Sequence, residues 1–200
     1  MVLLPALVVG VSLAGCATGS EKARDEGVPG DVKVCDLMTA GDMNSALDRR
    51  IKYFAFSKYS YGENKPVLTC MVLFTDHEEV GDGLDIEYEY NGQTGYFGLP
   101  DIMADYDYVK AEVPHEMVSV EGVEGEGFTA YWKGNSFFVW QYPSGHLLAM
   151  SSSWRDAQGN SVDGTDKMLA LGRSIAPIAP DVASGPRQKR TVYPSPLDSQ

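Results

Sequence analysis

Leu84-Asp85-Ile86-Glu87-Tyr88-Glu89-Tyr90 decides the fold. Apolar or aromatic residues alternate with carboxylates without a break, which is the period of a strand with one face on a core and the other toward water. Leu84, Ile86 and the tyrosines read as inward, and Asp85, Glu87 and Glu89 as the outer face. Gly81-Asp82-Gly83 before it is turn chemistry. Asn91-Gly92 after it is the strongest short hairpin signal, because both positions of a type I′ turn need positive φ. Gln93–Phe97 is therefore expected to return as a partner strand.

Other strands extend the pattern on both sides. Downstream, Phe128–Trp132, Lys133-Gly134-Asn135, Ser136–Tyr142, Pro143-Ser144-Gly145 and His146–Trp154 read as strand, turn, strand, turn, strand. Gly122–Gly127 before them is a loop that needs unusual backbone angles, and Met117–Glu121 is a short strand. Upstream, Val67–Thr75 is apolar on both faces and suits a central strand, Ser57–Pro66 is a loop and Ile51–Phe56 is another strand. Helices flank and divide these strands. Thr39 is placed as an N-cap with Asp42 completing a capping box and Met38 and Met43 as a hydrophobic staple, and that helix ends near Leu47–Arg49. Pro100–Tyr108 is a candidate short helix. Thr165 or Asp163 caps a closing helix to about Ala176, with Met168, Leu171 or Gly172, and Ile175 on one face and Pro177 and Pro180 ending it. The order implies an α+β domain: a largely antiparallel sheet of about six to eight strands, with helices packed on one face.

The ends of the chain read differently from this body. Val2–Leu13 is an apolar run of about a dozen residues, too short for a bilayer core, which needs roughly 20, but suited to a signal-peptide h-region. It closes in Leu13-Ala14-Gly15-Cys16, the order of a lipobox, where a lipoprotein precursor is cut before the cysteine and the sulfur is diacylated, with palmitate-type chains. No Lys or Arg precedes Cys16, so either the true start lies upstream or a minimal n-region suffices. The alternative is an ordinary secretory signal with an incidental cysteine. The expected organisation is a signal peptide at 1–15, a flexible tether at 16–31, one domain at 32–180 and a disordered tail at 181–200, whose breakers include Gly185, Pro186, Pro194 and Pro196. The expected location is the outer, extracytoplasmic face of the cell membrane. Two acyl chains give stable anchoring where one gives marginal binding.

Composition narrows the function. With 44% hydrophobic and 22% charged residues the chain is an ordinary globular one. A net charge of −12 argues against nucleic-acid binding, which needs a basic footprint. Of the three cysteines, Cys16 is the lipid carrier, leaving Cys35 and Cys70. In an oxidising compartment the simplest expectation is one disulfide, which in the chain-entropy model contributes roughly 3–4 kcal/mol; two free buried thiols are the alternative.

Cys35-Asp36-Leu37-Met38-Thr39-Ala40-Gly41-Asp42-Met43, a second cysteine in a strand (Cys70), the segment Val120-Glu121-Gly122-Val123-Glu124-Gly125-Glu126-Gly127-Phe128 and the closing helix Lys167–Ile175 occur in that order over about 32–180. In this the chain resembles the actinobacterial lipid-anchored extracytoplasmic domains of unknown function, a secreted lipoprotein family with a Cys-x-Leu-Leu-Thr-like opening. It departs at Met71, where an aromatic residue often follows the second cysteine, and at Phe128, where a small residue is usual. The resemblance implies envelope location, this architecture and pairing of the two cysteines. It carries over no catalytic residue.

Candidate chemistry is sparse. His77, His115 and His146 share no ligand spacing, and no hydrolase, metalloprotease or phosphate-loop motif occurs. His146 with Ser151 or Ser153 is the Ser–His pair to inspect, and it is not expected to meet. Asp85, Glu87 and Glu89 lie along one strand face at about 7 Å intervals and either recruit cations or a basic partner or form a solvated face. Asp101, Asp105 and Asp107 raise the same question. Asp156–Asp166 resembles a calcium loop, but Gly159 falls at position four where the EF-hand needs glycine at six. No metal or cofactor is implied. Aromatic residues crowd the last three strands, so Trp132, Phe138, Trp140 and Trp154 are the candidate ligand or partner surface, the alternative being a sheet buried on both sides. The function expected is a non-enzymatic binding or accessory module of the cell envelope, acting on an envelope protein or an apolar ligand. The alternatives are an envelope hydrolase or transferase with an unrecognised site, and a lipid carrier with a deep dry cavity.

Overall fold

The structure, a computed structural model, describes residues 27–63, 65–75, 83–90 and 106–194. Its elements are β1 (Lys33–Val34), β2 (Met38–Thr39), α1 (Ala40–Leu47), β3 (Ile51–Ser60), β4 (Pro66–Phe74), β5 (Leu84–Tyr90), α2 (Tyr106–Glu112), β6 (Glu116–Val118), β7 (Glu126–Trp132), β8 (Asn135–Gln141), β9 (His146–Arg155), β10 (Ser161–Val162), α3 (Thr165–Ile175), α4 (Ala179–Ser184) and β11 (Gln188–Tyr193). The fold is α+β. Nine strands form one antiparallel sheet in the order β11-β3-β4-β5-β9-β8-β7-β6, with β10 on β9, so the sheet is larger than the six to eight strands expected. Two meanders, β3-β4-β5 and β6-β7-β8-β9, are joined through the β5–β9 pair, in which Ile86 faces Met150 and Tyr88 faces Leu148.

Strand alternation sends apolar side chains to both sides of this sheet, and the helices follow them. On one side α1, α3 and α4 deliver Met43, Leu47, Met168, Leu171, Ile175 and Ala179 onto Phe54, Val72, Ile86, Phe138, Trp140 and Met150. On the other side Tyr106 and Val109 of α2 cover Phe128, Ala130, Phe137, Val139, Leu147 and Ala149. Helices packed on one face is therefore corrected: the β7–β9 half is buried on both sides. Close approach of α3 depends on two glycines. A Cβ at Gly172 would lie 2.5 Å from the Phe138 ring, and one at Gly164 would lie 2.3 Å from the Trp154 ring.

Local signals explain the helix ends. Thr39 caps α1, its Oγ1 accepting from Asp42 N at 3.1 Å while donating to Asp42 Oδ2 at 2.6 Å. Asp48, in the left-handed region, closes that helix. Gly164 rather than Thr165 or Asp163 is the N-cap of α3, although Asp163 Oδ1 accepts from Thr165 N at 2.8 Å. Gly122 and Gly125 carry positive φ, as their loop requires.

The domain limits also move. Residues 181–193 are not a disordered tail: α4 runs through Ser184, and β11 pairs with β3, Val192 opposite Ala55 and Tyr193 opposite Phe54. Pro180 sits at the start of α4, where its missing N–H has no partner to lose. At the other end Val28 is buried and donates to Ile51 O at 2.8 Å, so the body begins before residue 32. β3 extends through Ser60, four residues into the expected loop. The signal peptide, Cys16, most of the tether, His77, Asp101, Asp105, Asn91-Gly92 and Gln93–Phe97 lie outside the described residues.

Candidate functional site

The register of β3, β4 and β5 assembles a polar surface on the side of the sheet away from α1, α3 and α4. Ser57 stands opposite Thr69, and Thr69 opposite Glu87; one rung along, Ala55 stands opposite Met71, and Met71 opposite Asp85. This follows from the period of two: Cys70, Ile86 and Phe56 go to the main core, so their neighbours go outward. The rungs floor a cleft of about 330 Å³ lined by Ser57, Tyr59, Thr69, Met71, Asp85, Glu87 and, from β11, Arg190.

Part of the cleft is withdrawn from solvent. Glu87 Oε2 is buried and has no hydrogen-bond partner among the described residues. Burial first, then the neighbouring Glu89 and Asp85 carboxylates, push the Glu87 carboxyl up to about 8, so it carries its proton at neutral pH and presents an O–H donor. Burial also raises Asp85, a lining residue whose side chain keeps contact with solvent. Ser57 Oγ and Thr69 Oγ1 lie 2.7 Å apart; one hydrogen bond between them leaves a hydroxyl hydrogen and several lone pairs free to turn into the cleft. Tyr59 forms a side wall, its ring edge-to-face with Tyr61 at 5.2 Å, and burial with the Tyr61 contact pushes its phenol up to about 12.

The residues singled out from sequence fall in several places. Cys35 and Cys70 form a disulfide, Cα atoms 5.9 Å apart. Cys35 and Asp36 both have positive φ and turn β1 into β2, a hairpin that the sequence reading missed. Phe138, Trp140 and Trp154 are not a surface: they are 0%, 2% and 7% exposed in the main core. Trp132 lies half-buried on the α2 side, with Lys133 Nζ 4.1 Å from the ring centroid. The four aromatics therefore form no common patch. His146, Leu148, Met150 and Ser152 share one face of β9 and Ser151 and Ser153 the other, so His146 does not meet either serine. Its Nδ1 lies 3.0 Å from Ser144 Oγ and its ring stacks on Tyr88 at 5.1 Å; burial, then Lys65, lowers its pKa. His115 Nδ1 lies 2.9 Å from Val113 O. Asp156 Oδ1 accepts from Gln158 N and Asn160 N, which is turn formation. Among the described residues no group of three His, Cys, Asp or Glu is placed to hold a metal ion.

Ser57, Tyr59, Thr69 and Arg190 were not singled out in the sequence. Ser57 and Tyr59 read as loop and Arg190 as tail. The β-branched and aromatic run Thr191-Val192-Tyr193 is the signal that pointed to a strand there. The apolar space between α2 and the sheet is about 10 Å³, no larger than one probe sphere, and holds no acyl chain. No protein-family model matches the chain, and no curated protein is significantly similar to it.

Proposed function

We propose that the chain is a lipid-anchored, non-enzymatic binding module, held through Cys16 at the extracytoplasmic face of the membrane and presenting the β3–β4–β5–β11 cleft to a ligand. The cleft carries this reading: a proton-bearing, desolvated Glu87 beside unpaired hydroxyl capacity is a surface that gains hydrogen bonds by binding. The Leu13-Ala14-Gly15-Cys16 order supports the anchor. The Cys35–Cys70 disulfide fits an oxidising compartment, and the resemblance to lipid-anchored envelope domains points the same way.

Two measurements on the full-length protein test the reading. In membrane fractionation the wild type belongs with the membrane and Cys16→Ser in the soluble fraction; equal partitioning refutes the anchor. In native mass spectrometry of detergent-extracted protein, an adduct present in the wild type is expected to vanish when Ser57→Tyr fills the cleft. An adduct that survives that change, or none in either protein, refutes the cleft as the binding place.

An acid–base hydrolase or transferase is the second reading, because Asp85 and Glu87 line one cleft with both carboxyls raised by burial, and perturbed carboxyls gather at catalytic sites. It predicts turnover that Glu87→Gln abolishes, whereas a binding module has none to lose.

A further inference from the structure

We propose that the cleft accepts an uncharged, polyhydroxylated ligand, a saccharide ring, hydrogen-bonded by Ser57, Thr69, Asp85 and Glu87 and flanked by Tyr59 and Arg190; the inference rests on the cleft being the binding place.

The mixture of donors and acceptors lining the cleft selects this class. The exposed Arg190 guanidinium shares the cleft with the Asp85 carboxylate, while Glu87 holds its proton at neutral pH. Opposite charges thus lie side by side in the cleft, with the buried Glu89 carboxylate next to Glu87. A free cation would meet Arg190, and a free anion would meet Asp85. An apolar ligand would leave two hydroxyls and two carboxyls without partners and return nothing. Adjacent hydroxyls on a ring are both donors and acceptors, which is what the wall offers: Glu87 O–H and the Arg190 N–H groups donate, Asp85 accepts, and the Ser57–Thr69 pair turns either way. Met71 and the Tyr59 ring supply apolar contact for the C–H face of a sugar. The volume, about 330 Å³, lies at the small end of ligand pockets, roughly 300–1,000 Å³, and suits a ring rather than a long chain.

The test is a titration of the ¹⁵N-labelled full-length protein in detergent, with maltotriose and chitotriose as neutral probes and spermidine and citrate as charged ones. Saturable shifts at Ser57, Thr69, Asp85 and Glu87 with a neutral probe, and none with the charged ones, are expected. Thr69→Val and, as an independent second change, Ser57→Ala should each weaken that binding at least tenfold with the far-ultraviolet spectrum unchanged. Wild-type affinity should also fall as pH rises through about 8, when Glu87 loses its donor hydrogen, and Glu87→Gln should remove that fall. Spermidine or citrate filling the cleft while the saccharides do not would overturn the ligand class and leave the binding module intact. No cleft shift with any of the four would overturn the inference, and the adduct measurement then decides the module by itself. A trisaccharide that binds with affinity indifferent to Thr69→Val and Ser57→Ala would also overturn it.

Discussion

Gly172→Ala tests the packing that holds the main helix on the sheet. The residue lies inside α3, directly over Phe138. An added Cβ would meet Cδ2 at 2.5 Å and Cε2 and Cγ at 2.6 Å, about 1 Å inside ordinary carbon–carbon contact. The ring cannot move aside, because it is fully buried and lies nearly parallel to Trp140, with centroids 6.5 Å apart. Overpacking of this kind typically costs about 1–3 kcal/mol. Against it stands the helix preference of Ala over Gly, about 1 kcal/mol in an interior position. The expected net effect is a destabilisation of about 1 kcal/mol, or roughly 2–4 °C in Tm for a domain of this size. Urea unfolding with an unchanged m-value measures it. Ser174→Ala, on the exposed side of the same helix, serves as the control for propensity alone. Combining Gly172→Ala with Phe138→Leu should cost less than the sum of the two single changes, because the shorter side chain yields the space. If Gly172→Ala stabilises the protein as propensity alone demands, the close seat of α3 on β8 is refuted.

Three further outcomes follow from the core and the cleft. Replacing both Cys35 and Cys70 with Ala removes a link across 35 residues and should lower the unfolding free energy by about 3–4 kcal/mol; a loss under 1 kcal/mol would show that the β1–β2 hairpin holds itself. Lys58, only 8% exposed at its side chain, meets Asp36 Oδ2 at 2.6 Å, so Asp36→Ala should cost about 1–3 kcal/mol and adding Lys58→Met should recover most of it, read as a double-mutant cycle. Glu87 has a folded pKa of about 8 against an ordinary 4.5, so the folded state binds the extra proton between those values. Its contribution is present below 4.5 and is lost as pH rises to about 8; Glu87→Gln should therefore raise the midpoint of thermal unfolding at pH 8 relative to wild type, and an unchanged midpoint counts against a desolvated Glu87.

Strand alternation made much of the sheet legible. Leu84–Tyr90 and the buried stripe Met168, Leu171, Gly172 and Ile175 show themselves because each has one clear period, and the Phe128–Trp154 meander because turn residues separate its strands. Two-sided burial is different. When Phe137 and Phe138 are both apolar, the pattern says that two faces are covered but not by what, and here α2 covers the second. Phe138, Trp140 and Trp154 thus look alike in sequence whether they line a groove or a core. β11 was hidden for a different reason: its pairing with β3 joins residues more than a hundred positions apart, and Gly185, Pro186 and Pro194 around it are the usual marks of a tail. The cleft inherits both difficulties. Asp85 and Glu87 were visible as an outward row, but the cleft also needs Ser57, Thr69 and Arg190 from neighbouring strands, which no local pattern encodes.

Whether that sheet face is built for a ligand or for water rests on the Glu87 carboxyl, whose titration is observable through its side-chain ¹³C shift in the ligand-free full-length protein. A midpoint near 8 is the result expected of a carboxyl with a buried oxygen beside Glu89 and Asp85. A midpoint near 4.5, the ordinary glutamate value, would make the row a solvated outer face and remove the cleft's claim to function.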